Sequence, residues 1–220
     1  MTTQRPDASG FPADIYTEPA EIDPDTLKNL GPLAPLAGVW EGKRGLDVNP
    51  KADGPAEDAY TERYELHPID PQPNGPQLLY GLRYHQHVLR PGKPETFHDQ
   101  VGYWLWEPAT GTVVQTLTIP RGQVALASGT AAPDAKAFEL VCTFGSPTNG
   151  TCSIPFLDHA FRTLEYRIKV AVNGDGTWSY DQLTLLKIAG TDQLFRHTDR
   201  STLRKVGAPA PNWLMRGSGG

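Results

Sequence analysis

The feature that most constrains this chain is a rhythm. From Val39 onward, runs rich in β-branched and aromatic residues alternate with clusters of Gly, Pro, Asn and Asp. That spacing predicts strands over 38–46, 60–67, 78–90, 97–107, 111–119, 123–130, 137–144, 161–172, 177–188 and 194–206, about ten by the turn signals. Most connections are short, such as Glu107-Pro108-Ala109-Thr110-Gly111 and Asn173-Gly174-Asp175-Gly176, which suits hairpins between sequential neighbours. An up-and-down antiparallel meander of this size must dispose of its edges. Closure does so and leaves an interior wide enough for one ligand. The expected fold is therefore all-β, a closed antiparallel up-and-down barrel, with longer loops over 47–59 and 145–160 at its ends.

Composition sharpens this reading. A chain of 220 residues supports one core, and 22 Gly with 21 Pro fit many turns between short elements. Residues 1–23 are polar and proline-spotted and read as a flexible arm; 24–207 form the ligand-binding barrel; 208–220 form a tail whose last glycines resemble a linker scar. Asp25 is placed to cap a short helix through Leu27 and Leu30, with Pro32 and Pro35 limiting its length. A net charge of −5 without clustered Lys and Arg argues against nucleic acid and against a membrane surface. No apolar leader or transmembrane run is visible, so the expected location is cytoplasmic. Cys142 and Cys152 flank a turn segment, and in such a compartment both are expected to be reduced.

Histidine is the residue type most worth weighing, because it ligates metals and haem iron and titrates near neutrality. His85 and His87 share one face of a predicted strand and His98 begins the next. Either these three converge on a metal or the first two are solvated. His197 lies on the last strand, where an inward imidazole would serve as a proximal haem ligand and an outward one would be an ordinary surface residue. No nucleophile elbow or phosphate loop occurs, and Glu165 and Asp181 read as exterior charges. Tyr80, Tyr84, Tyr103, Trp104 and Trp106 line a cavity or fill a core, and Arg83, Arg121 or Arg196 would hold a ligand carboxylate if turned inward.

The segment Gly38-Val39-Trp40-Glu41-Gly42-Lys43-Arg44-Gly45 resembles the Gly-x-Trp-x-Gly-x-Gly opening of the nitrobindins, haem-binding barrels similar in shape to fatty-acid-binding proteins and of the calycin or lipocalin type. Gly92-Lys93-Pro94, the run His98 to Tyr103, Pro120-Arg121-Gly122, Gly129-Thr130 and the closing Leu203-Arg204-Lys205-Val206 extend the likeness from Leu33 to Val206. The resemblance implies haem b held by His197, with Trp40, Gly42 and Thr198 also in the cofactor site, and peroxynitrite isomerisation or nitric oxide binding as the activity. Two departures stand out. The opening motif carries one extra residue, so Gly45 supplies its last glycine, and the family's ligand histidine falls at the place of Thr198. A one-residue slip reverses the face of a strand, and a β-bulge between Thr198 and Ser201 would reverse it back. The alternative function is a non-catalytic carrier of a fatty acid or another small apolar ligand. Pairing with a second copy is open under either.

Overall fold

The computed structural model describes residues 11–211. The first ten residues and those after 211 lie outside the described residues, and with them most of the predicted tail and its terminal glycines. Twelve strands form: β1 (Gly38–Lys51), β2 (Gly54–Pro68), β3 (Gln72–Asn74), β4 (Gln77–Leu89), β5 (Thr96–Glu107), β6 (Thr112–Ile119), β7 (Gln123–Thr130), β8 (Ala137–Thr143), β9 (Thr151–Ser153), β10 (Phe161–Val172), β11 (Thr177–Ile188) and β12 (Leu194–Gly207). All pair antiparallel. Ten of them follow one another around a closed circuit, in which β12 returns to β1 and β2 seals against β4 through the ladder from Thr61↔Leu89 to Pro68↔Leu82. The short strands β3 and β9 are side branches on β4 and β7. Closure gives each of the ten a neighbour on both sides, most loosely at β7 and β8, which share the single pair Ser128↔Val141.

One sequence expectation fails at the first hairpin. Residues 47–59 are not a long loop: β1 and β2 stay paired from Leu46↔Ala59 to Lys51↔Gly54 and turn only at Ala52 and Asp53. Asp47-x-Asn49 is strand-like in its alternation but polar on the face that turns inward, so hydrophobic periodicity passes over it. The second predicted loop, 145–160, holds β9 and a short helix α2 (Pro155–Ala160).

The extra residue of the opening motif becomes a β-bulge. The register of β1 on β2 jumps from Gly42↔Glu62 to Gly45↔Tyr60, so Lys43 and Arg44 bulge out exposed while Gly42 and Gly45 both face inward. Gly45 has to lack a side chain, since a Cβ there would lie 2.0 Å from the Tyr60 ring.

One end of the barrel is closed. Asp25 caps helix α1 (Thr26–Asn29) by accepting from the Lys28 amide, and a 3₁₀ helix (Gly31–Leu36) follows. This pair replaces the single short helix read from the sequence, with Pro32 and Pro35 lying in the 3₁₀ segment. Leu30, Leu33 and Leu36 are wholly buried against the barrel. Beneath them lie Trp40, Trp104, Trp106 and Trp178, all 3 % exposed or less. Trp40 donates its indole N–H to the Leu36 carbonyl at 2.7 Å, tying plug to wall. Among the described residues no helix is long and apolar enough to cross a membrane.

Candidate functional site

The other end of the barrel holds a cavity of about 280 Å³, at the lower limit of ordinary small-molecule sites. Its apolar wall comes from residues such as Val88, Leu117, Ile119 and Leu186, and α2 contributes Leu157 beside Phe161. The polar wall includes His98, Gln100, Arg121, Asp47, Asp199 and His197.

The register decides the direction of His197. β11 and β12 pair without interruption from Thr177↔Arg204 to Lys187↔Leu194, so His197 shares a face with Ser201 and the fully buried Leu203. No bulge against β11 interrupts Thr198 to Ser201; the irregularity sits in β1 instead, and His197 points inward without one in β12. His197 Nε2–H donates to Asp47 Oδ1 at 2.6 Å, and the Asp47 side chain is 8 % exposed. Asp47 is inward because it follows the β1 bulge in phase with Gly45. Nδ1 of His197 has no hydrogen bond among the described residues. One nitrogen is thus oriented by a carboxylate and the other keeps a lone pair, the arrangement in which ligating histidines are commonly held. An imidazole held this way fits a haem iron.

The remaining predicted site residues separate. Gly42 lies inside, with a notional Cβ 2.6 Å from Ser201 Oγ and 2.8 Å from Glu62 Oε1, so it gives room to a polar cluster beneath the cavity. Trp40 does not line the cavity but stands at the plugged end, edge-on to Trp178 with ring centroids 6.2 Å apart. Thr198 alternates with His197 and pairs with Leu183 and Val48 on the outer face. Both residues belong to the wall rather than to the site, because strand alternation and distance along β1 take them from it. Asp199 lines the cavity and Arg200 is exposed.

His85 and His87 are outside, stacked with centroids 6.0 Å apart, and contact Asp99 and Thr96. His98 is inside, so the three do not converge, and among the described residues no group of His, Cys, Asp and Glu is placed to hold a metal ion. Burial, then Arg121 and His197, pull the His98 pKa below its ordinary value against a weak bond to Gln100. Arg83, Arg121 and Arg196 are all exposed, and of them Arg121 alone lines the cavity. Tyr103 is likewise on the outside, and Tyr80, Tyr84, Trp104 and Trp106 are core. Glu165 pairs with Arg167 and Asp181 is exposed. Both cysteines are free, Cys142 buried and Cys152 exposed, so only the first is a core residue.

Sequence reasoning missed the polar interior. Asp47, Tyr60, Glu62, Gln86 and Asp199 all face inward, and Glu62 and Gln86 are buried and joined by a 2.8 Å hydrogen bond. The available signal was the period-two pattern Tyr60-x-Glu62-x-Tyr64 and Tyr84-x-Gln86-x-Val88. It places one polar residue per strand at the same level of the barrel.

Comparison with known proteins agrees with this architecture. The model of the THAP4-like, heme-binding beta-barrel domain matches residues 29–205. No curated protein matches the chain. Among solved structures, that of Rv2717c from M. tuberculosis superposes with a TM-score of 0.59 at 21 % identity, covering 83 % of this chain and 98 % of that one. At that identity the likeness speaks for the fold alone. The match across nearly the whole barrel carries more: this chain belongs to the THAP4-like, haem-binding β-barrel domain family, the nitrobindin family.

Proposed function

We propose that the chain binds ferric haem b in the open-end cavity through His197 and acts on a small reactive nitrogen species, isomerising peroxynitrite to nitrate or binding nitric oxide. The observation that carries this reading is the inward His197, held by a buried carboxylate on one nitrogen and free of hydrogen bonds on the other. Haem held there by His197 would supply the iron chemistry that binds or rearranges such a species. The protein's own part is to bind and to shield. Asp47 fixes the imidazole's tautomer and ring orientation. Val88, Leu117, Ile119 and Leu186 give the macrocycle an apolar bed, and Arg121 supplies a cation at the wall for an anionic group.

Titration of the purified chain with haem, followed in the Soret region, tests this. Saturable one-to-one binding that His197→Ala abolishes supports it. A second reading rests on Arg121, which would equally anchor the carboxylate of an apolar carrier cargo. Displacement of a fluorescent fatty acid by unlabelled fatty acid, lost in Arg121→Ala and unchanged in His197→Ala, would replace the haem reading.

A further inference from the structure

Beneath the cavity, four oxygen-bearing side chains from three strands form an unbroken line. Glu62 Oε2 lies 3.0 Å from the Tyr180 hydroxyl, and that hydroxyl lies 2.8 Å from the Tyr60 hydroxyl. Tyr60 in turn donates to Asp199, and both Tyr60 and Asp199 line the cavity. Gln86 steadies the inner end, its amide nitrogen 2.8 Å from Glu62 Oε2 and 3.0 Å from the Tyr180 oxygen.

Counting protons along this line bounds its state. A phenol has one proton to give. Three contacts need three protons and the two phenols supply two, so the line holds one carboxyl proton, on Glu62 at one end or on Asp199 at the other. With that proton on Glu62, Tyr60 gives its own to Asp199, Tyr180 gives its own to Tyr60, and Glu62 gives its own to Tyr180. Its surroundings agree: the titratable groups around it are Tyr60 and Tyr64 on its own strand, Tyr180 on β11 and Asp199 on β12, while β4 offers neutral Gln86 and β1 offers Gly42. None of these is a cation. The second carboxyl oxygen, Oε1, is buried without a hydrogen bond, which an ionised carboxylate would find costly. Burial accordingly pushes the Glu62 pKa up.

We propose that Glu62 is a proton store at the barrel's centre, and that Tyr180 and Tyr60 conduct its proton to whatever basic group occupies the cavity. In the delivering step the Glu62 O–H bond breaks as a new O–H bond forms on Tyr180. The original Tyr180 proton passes to Tyr60, and the original Tyr60 proton passes to the acceptor in the cavity. Each of the three protons moves to the next group along, the last leaving Tyr60 for an acceptor that takes the place of Asp199 at its hydroxyl; both phenols end neutral, Glu62 ends as a carboxylate, and no electron is transferred. The device lets an anion taken into the cavity be neutralised by a proton from inside the barrel. It serves haem with an anionic ligand or a carboxylate cargo alike, so it stands apart from the choice between them.

Infrared spectroscopy of the full chain, without any ligand, tests both parts. At neutral pH the spectrum should contain a protonated-carboxyl C=O band that is lost in Glu62→Gln and displaced in Tyr180→Phe, which removes its partner. Absence of such a band, or its survival in Glu62→Gln, overturns the store. Rapid dilution into D₂O then reads the relay through the deuterium shift of the same band. Exchange should slow roughly tenfold or more in Tyr60→Phe, as expected for interrupting a buried hydrogen-bonded path. Equal rates in Tyr60→Phe and wild type overturn the relay, and Tyr180→Phe cuts the same path should the first variant fold poorly.

Discussion

The two ends of this barrel are built from the same ten strands and do opposite things with them. At the plugged end the inward positions carry Trp40, Trp104, Trp106 and Trp178, capped by Leu30, Leu33 and Leu36. At the open end the same faces of the same strands carry Asp47, His98, Asp199 and His197 around a cavity. β1 passes from Trp40 to Asp47 and β12 from Leu203 to His197, so the change takes place within single strands. Stability and binding are therefore separated along the barrel axis rather than between layers, and each end should yield to substitution without the other.

The largest effect should come from the plugged end. Trp104→Ala removes a fully buried indole and its hydrogen bond to the Tyr64 hydroxyl. It should cost about 3–5 kcal/mol in urea unfolding, with any folded fraction still taking up haem. Loss of binding without loss of stability would break the division. Next comes Asp47→Asn at the open end, which keeps the side chain's shape and withdraws the carboxylate from His197. Haem affinity should fall roughly 10- to 100-fold in a Soret titration while the unfolding midpoint stays close to wild type.

A smaller effect concerns acid. The His98 pKa is lowered in the folded protein, so below its ordinary value of 6.5 the unfolded chain binds the proton more readily. Stability contributed at this position is present above that value and declines as pH falls towards the folded pKa. Unfolding curves collected down this range should show the decline in wild type and a shallower one in His98→Gln. Glu62 has the opposite sign, since a raised pKa favours the folded state at low pH and costs stability as pH rises through it. The Glu62→Gln variant should be the more resistant of the two chains to alkaline unfolding. The smallest effect is a labelling contrast. Cys152 is exposed and should react readily with a thiol reagent, while Cys142 is buried, its pKa pushed up to about 11, and should react only on unfolding.

The closed barrel, its strand count and its inward histidine differed in how legible they were. Strands such as 177–188 announce themselves by alternating apolar residues, and their short turns dictate sequential pairing. The first hairpin did not, because Asp47 and Asn49 occupy positions where an apolar residue would normally mark the inner face. The direction of His197 was also hidden. It depends on counting along β12 from Leu203, and comparison with the family's histidine position pointed one residue away. The Glu62–Tyr180–Tyr60 line was hidden for a different reason: its members come from β2 and β11, and their meeting is a product of closure rather than of local sequence.

The bulge at Lys43 and Arg44 has a consequence for how such a chain tolerates changes in length. Two residues occupy one rung of β1 there, so every side chain beyond them keeps the face it would have in a strand one residue shorter. An insertion at this point is silent in three dimensions, and deleting Lys43 should return a regular strand with Gly45, Asp47 and Asn49 still directed inward. Deleting Leu46 instead would exchange inside for outside over the rest of the strand and put Val48 where Asp47 now meets His197. Length is negotiable at one rung and fixed at the next.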